Sequence, residues 1–222
     1  MFDKRISLFS GHYGSGKTNV AVNYALALRK LKSRVAIYDL DIVNPYFRTV
    51  DAGKRLADGG VELIVSPFAE TNVDIPAMNA ASYKMVDDLS AYAVVDLGGD
   101  DRGALALGRF SEKIKEQKDY AMYLVLNVYR PETRDVNGLA EIKNEIERVA
   151  GIKFTHVVND SNLGTETTIE TIVDGEKKAR EFAKALNLPL AFTAVEKRFS
   201  SEAEKNIKNI LPIELIKYGD WL

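Results

Sequence analysis

Short apolar runs alternate with longer stretches of helical period along almost the whole chain. The runs are Ile6–Phe9, Val35–Tyr38, Val61–Val65, Tyr92–Val95, Ala121–Leu126, Phe154–Val158 and Leu190–Phe192, and most close on Gly, Asp, Asn or Pro. Hydrophobicity that is continuous, not alternating, predicts strands buried on both faces, as in a parallel sheet covered by helices. Between the runs, Leu139, Ile142, Ile146 and Val149 recur at spacings of three and four, which draws one apolar helix face. Val20, Tyr24, Ala27, Leu28 and Leu31 repeat the device after the first run. The rhythm predicts an α/β fold of three layers, a mostly parallel twisted sheet of about seven strands with helices on both faces. No low-complexity linker or internal repeat breaks it, so residues 1–222 are expected to form one domain. In the segment Ala203–Ile216, apolar Ile207, Ile210, Leu211, Leu215 and Ile216 are interrupted by Pro212. Packing on the domain suits this segment better than a membrane-surface helix, which wants a longer basic amphipathic stretch.

Composition narrows the function classes. Hydrophobic residues make up 46% of the 222, enough for a full core. Thirty basic and 32 acidic side chains leave a net charge of −2, which argues against a broad nucleic-acid-binding surface. Without cysteine, and with His12 and His156 the sole histidines, thiolate metal sites and cysteine-held clusters are excluded and a histidine site is improbable. The absence of disulfides suits a reducing compartment, and no apolar stretch approaches the roughly 20 residues needed to span a bilayer. The N-terminal residues lack a signal-peptide core. The expected location is the cytoplasm.

The strongest chemical signal is Gly11-His12-Tyr13-Gly14-Ser15-Gly16-Lys17-Thr18, which fits G-x-x-x-x-G-K-[ST] at every specified position. Its glycines let backbone N–H groups surround phosphate oxygens, Lys17 would reach the β- and γ-phosphates, and the Thr18 hydroxyl would ligate Mg²⁺. A strand candidate precedes the loop and a helix candidate follows it; Asn19, beyond Thr18, opens that helix and joins the nucleotide-binding candidates. The helix N-terminus adds its positive dipole end. Asp96 ends the run Tyr92–Val95 and is followed by Leu97-Gly98-Gly99, the place of a strand-tip acid that holds Mg²⁺. Asp39-Leu40-Asp41 follows the second run in the same way, and Asp41, farther into the loop, is the candidate for the catalytic position, with Mg²⁺ contact as an alternative.

Together with Asn159 after a later run, these motifs resemble the MinD/ParA group of P-loop ATPases, from Ile6 to about Glu196. The resemblance implies a P-loop NTPase fold that binds MgATP, often as a face-to-face homodimer. It implies that Asp41 positions the attacking water and that Asp96 is the Walker B acid. It places Asn159 against the base, with the backbone around Val195 and Glu196 beside it. The family's second loop lysine is replaced by His12, for which a variable loop position is the plainer reading. The loop also resembles those of nickel-insertion GTPases and of small-molecule kinases or ligases of the same class, so a metal-insertion GTPase or phosphoryl transfer remains the alternative to an ATP-driven switch. The expected partners are ATP and either a protein or a small-molecule acceptor.

Weaker features surround this core. Asn44-Pro45-Tyr46-Phe47-Arg48-Thr49 is either a switch or recognition loop or a loop tucked over the core. Gly99-Asp100-Asp101-Arg102-Gly103 would serve as a second switch, Arg130 and Arg134 read as solvated, and Trp221 has no assigned role. The strand Phe154–Val158 ends in Asn159-Asp160-Ser161-Asn162, which lacks the lysine and aspartate of the guanine-reading Asn-Lys-x-Asp. Adenine over guanine is therefore expected.

Overall fold

A computed structural model describes residues 2–41, 49–65, 80–99 and 101–216. Asn44–Arg48, Asp100 and Trp221 lie outside the described residues, as do the side chains of Asp101 and Arg102. The strands are β1 Ile6–Ser10, β2 Val35–Leu40, β3 Glu62–Val65, β4 Tyr92–Leu97, β5 Tyr120–Leu126, β6 His156–Asn159, β7 Leu190–Glu196 and β8 Ile210–Ile213. Between them run helices α1 Lys17–Arg29, α2 Gly53–Asp58, α3 Ala80–Asp87, α4 Asp101–Gly108, α5 Ser111–Gln117, α6 Val136–Ala150, α7 Ile169–Ala185 and α8 Lys197–Ala203. The strands form a single sheet in the order β3-β2-β4-β1-β5-β6-β7-β8, and every described pairing is parallel. No described helix is long and apolar enough to cross a membrane.

The sheet thus has eight strands where the apolar runs predict about seven. The addition is β8, drawn from the segment that Pro212 interrupts. Pro212 pairs in register with Val195 on the last strand in the sheet order, where a missing N–H costs no ladder bond on the outer side.

Both faces of the sheet are buried, which is why its strands read as unbroken apolar runs. Ile6, Leu8, Tyr38, Val95 and Leu97 belong to one core cluster, with Leu139 and Ile146 of α6 packed into it. Phe9, Ile37, Val94, Tyr123 and Phe192 belong to the other, with Val20, Tyr24 and Leu28 of α1. On the α1 face the rows Val35-Ile37-Asp39 and Tyr92-Val94-Asp96 run side by side, and Asp39 pairs in register with Asp96. Each row is apolar until its last position, where it turns acidic at the carboxyl end. Parallel sheets gather their ligands at that end.

Candidate functional site

The loop between β1 and α1 is shaped by backbone that only glycine tolerates easily. Gly16, just before α1, has φ +86°, and a Cβ there would fall 1.7 Å from the Asp160 Oδ2 atom. Behind the loop, a Cβ on Gly99 would fall 2.2 Å from the Gly11 carbonyl oxygen, so the turn after β4 lies directly against the glycine loop. Helix α1 begins without a capping side chain and without an acid in its first turn. Its free N–H groups and dipole are left for an anion.

Beneath the loop the polar side chains converge and are sealed from solvent. Lys17, Asp41 and Asp96 are 4%, 3% and 0% exposed. Lys17 Nζ stands 3.2 Å from Asp41 Oδ2, an ion pair without hydrogen-bond alignment. Asp39 Oδ1 accepts from the backbone N–H of Asp41 at 3.1 Å, so the first acid of the pair orients the second. Asp96 Oδ2 accepts from the Thr49 hydroxyl at 2.9 Å, and the Thr18 hydroxyl bonds to the same carboxyl. Burial pushes the Asp96 carboxyl up to about 6; Lys17 opposes the shift, Asp41 reinforces it, and the two threonines hold it down.

Three buried polar atoms in this nest have no hydrogen bond: Ser15 Oγ, Asp41 Oδ2 and Asp96 Oδ1. Buried polar atoms in folded proteins are nearly always paired, so three orphans around one glycine loop mark a place for a ligand. Hard carboxylate and hydroxyl oxygens suit Mg²⁺, which takes one or two protein ligands and completes its shell with water and phosphate. Asp96 and Thr18 fit that role. Among the described residues no three His, Cys, Asp or Glu side chains cluster as a cage, and a cation shared with phosphates needs none.

The remaining loop residues divide by exposure. Tyr13 is 58% exposed, and His12 Nδ1 lies 3.0 Å from the Tyr13 carbonyl and 4.0 Å from a Glu132 carboxylate oxygen. Arg130 does not simply sit in solvent as the sequence suggests: its Nε donates to the Gly14 carbonyl at 3.1 Å. This bond braces the loop from outside. Asn19 faces away from the nest, its Oδ1 accepting from the backbone N–H of Ile216 at 2.9 Å.

A second concavity lies beyond Asp160. It is a small, partly open recess, and its lining includes Asp160, Ser161, Ile172, Val195, Ile213 and Leu215. Its walls are thus the loop after β6, the end of β7 and the overlooked strand β8. Asn159 stands just behind this lining and is fully buried. Its Oδ1 accepts from the Ser161 backbone at 3.1 Å and from the Ser161 hydroxyl at 2.5 Å, and its Nδ2 donates to Thr193 at 3.5 Å. In this arrangement Asn159 shapes the turn that forms the recess. Burial alone holds the Asp160 carboxyl well above the usual carboxylate range.

Thr49 and Asp160 are the two site residues that the motifs do not single out for chemistry. Neither belongs to a recognisable spacing, and each reaches the site only through tertiary contact.

Comparison with known proteins agrees with this geometry. The profile of the CobQ/CobB/MinD/ParA nucleotide binding domain matches residues 6–172. No curated protein matches the chain. Among solved structures, the signal recognition particle 54 kDa protein from Aeropyrum pernix K1 in complex with GDP superposes with a TM-score of 0.55 at 19% identity, over 86% of this chain and 41% of that one. The cell division protein FtsY from Thermotoga maritima gives 0.57 at 16% identity, over 86% and 61%. A nucleotide-binding protein from Archaeoglobus fulgidus in complex with ADP gives 0.50 at 14% identity, over 92% and 86%. The chain therefore spans less than two thirds of the first two proteins, and at these identities the likeness is one of fold. The match of the family profile across most of the sequence, on a parallel P-loop sheet, establishes that the chain belongs to the CobQ/CobB/MinD/ParA nucleotide-binding family of P-loop NTPases.

Proposed function

We propose that the protein binds MgATP at the loop Gly11–Thr18 and hydrolyses it as a conformational switch. The observation that carries the reading is the buried nest beneath the loop, where Lys17 faces Asp41 at 3.2 Å and oxygens of Ser15, Asp41 and Asp96 have no hydrogen bond. A triphosphate gives Lys17 a stronger partner than Asp41 and so releases the Asp41 carboxylate. The freed carboxylate is then available to orient or deprotonate the attacking water. Asp96 and Thr18 would hold magnesium, which neutralises charge developing on the β- and γ-oxygens.

The switch follows from what is attached to these acids. Thr49, bonded to Asp96, opens the 3-10 turn Thr49–Ala52 that leads into α2. Gly99, pressed against Gly11, leads into α4. Occupancy of the nest thereby bears on both segments that leave it. Adenine is the base proposed, because Asn159-Asp160-Ser161-Asn162 lacks the lysine and aspartate of the guanine-reading motif.

The test is Lys17→Ala. MgATP binding measured by calorimetry should fall by about 10²-fold or more, the scale of losing a charge on a buried phosphate, while circular dichroism shows an intact fold. A folded variant that binds as before would remove the basis of the reading. Slow turnover without any added acceptor is the further mark of a switch, since phosphoryl transfer to a small molecule would need its acceptor.

A further inference from the structure

Two hydroxyls grip Asp96, and only one of them is independent of the glycine loop. Thr18 belongs to the loop, and its oxygen is itself a candidate metal ligand, so its bond to Asp96 depends on what the loop holds. Thr49 reaches the same carboxyl from a separate segment, 47 positions earlier in the chain, and donates to Oδ2 at 2.9 Å. Thr49 and Asp96 are both fully buried, so water does not compete for this bond.

The Thr49 hydroxyl is not needed to anchor the turn that carries it. Ala52, at the end of that turn, and Leu56 in α2 are buried in the core cluster on the α1 face and hold the segment by apolar contact. What the hydroxyl fixes is the carboxyl. Oδ2 is committed to Thr49, and Oδ1 is the oxygen left without a hydrogen bond. The charge of Asp41 acts on Asp96, so the carboxyl needs a donor to keep one orientation against that repulsion.

Proteins commonly fix a metal ligand through a neighbour that bonds its other atom, and losing that neighbour typically costs about 10- to 100-fold in metal affinity. Resting on the MgATP reading above, we propose that Thr49 is the positioning residue of the magnesium site, pinning Asp96 so that Oδ1 is kept for the metal. In this role Thr49 touches neither nucleotide nor metal and acts through Asp96 alone. The turn Thr49–Ala52 then sets metal affinity as well as responding to it, since coupling between two sites is reciprocal.

Calorimetry with the non-hydrolysable β,γ-imido analogue of ATP, in EDTA and across a Mg²⁺ titration, tests this on the native chain, Thr49→Val and Thr49→Ser. Valine keeps the branched shape and removes the donor, whereas serine keeps the donor; Thr49→Ala is a second donorless variant should valine disturb folding, which circular dichroism reports. The guanosine counterpart is measured alongside, so that the choice of base does not hide the effect of the metal. In EDTA the variants should bind the analogue as the native chain does. The Mg²⁺ concentration that gives half the gain in affinity should rise by about tenfold or more without the donor and stay near the native value in Thr49→Ser. An unchanged Mg²⁺ requirement in the donorless variants, an equal rise in Thr49→Ser, or a loss of binding in EDTA as large as that with Mg²⁺ each overturns the role of Thr49. Native binding of either analogue that gains nothing from Mg²⁺ overturns the metal site and this role with it. A native chain that binds neither analogue under any condition overturns the nucleotide-binding reading itself.

Discussion

The carboxyl end of β2 and β4 and the corner between α6 and β6 each bury an acid, in opposite company. Glu147, on α6, is 4% exposed and saturated: Lys143 at 3.0 Å, Lys153 at 2.7 Å and the Phe154 N–H at 3.0 Å share its two oxygens. Burial alone would raise its pKa, but those three donors outweigh burial and hold the carboxyl below the usual range. Asp96 is buried more completely, is pushed up to about 6, and keeps one oxygen without a hydrogen bond. The first arrangement ties a helix to the chain that enters β6. The second leaves attraction unspent. Proteins satisfy buried polar groups where rigidity matters and leave them wanting where a ligand completes them.

That contrast makes distinct demands on single substitutions. The largest effect belongs to the nest. Asp41→Ala should leave ATP binding in place and slow single-turnover hydrolysis by about 10²-fold or more, the scale of losing a positioned base. Asp96→Ala should instead weaken binding only when Mg²⁺ is present. Equal losses of binding in the two variants would mean that the catalytic and metal-holding acids are not separate.

Next comes the saturated corner. Glu147→Ala strands Lys143 and the Phe154 N–H and should cost about 2–3 kcal/mol in urea unfolding at pH 7. The native pKa of Glu147 lies below its ordinary 4.5, so its contribution is present above that pH and fades as pH falls through the lowered value. The deficit of the variant should therefore shrink in acid; a deficit independent of pH would assign it to packing.

Asp96 has the opposite sign and a smaller effect. Its native pKa of about 6 exceeds the ordinary 3.8, so the folded state holds that proton more tightly, and stability falls as pH rises from 3.8 through 6. Without nucleotide, Asp96→Asn should be more stable than the native chain by about 1–2 kcal/mol at pH 8 and no more stable at pH 3. A loss of stability at pH 8 would show that the acid is structural. Smallest of all, Ser15→Ala removes a hydroxyl that bonds to nothing, and its melting temperature should match that of the native chain, an effect under about 0.5 kcal/mol. A clear drop would reveal a partner for Ser15 and reduce the orphan atoms to two.

How far the sequence disclosed all this depends on whether each signal was local. The seven apolar runs all became strands because a sheet covered on both faces forces unbroken hydrophobicity. Lys17, Asp41 and Asp96 meet beneath the loop as their positions in the motif and at strand ends suggest. Strand β8 escaped notice because Pro212 counts against a strand unless its place in the sheet order is known. Asn19 and Asn159 are where the helix and strand were expected, yet their amides are taken up by Ile216 and Ser161. Spacing places a backbone; it does not say which neighbour will claim a side chain. Asp160 is the converse case, an ordinary acid in the sequence that matters because α1 begins against it.

The embrace of α1 by the chain beyond β8 has a consequence for synthesis. Asn19 and Asn23, one helical turn apart, bind the backbone of Ile216 and Glu214 at 2.9 Å, and Arg55 of α2 donates to the Glu214 carbonyl at 3.0 Å. Helix α1 leaves the ribosome well before these partners, which emerge some 190 residues later, since Asn23 and Glu214 are 191 positions apart. Until then Asn19 Oδ1 lacks the Ile216 N–H, Asn23 has only Asn19 O and Arg55 as partners, and the recess lacks the wall that β8 gives it. A nascent chain would therefore form its glycine loop well before the recess beside it is closed, so the finished site should arise as a late, nearly all-or-none event in the life of each new molecule.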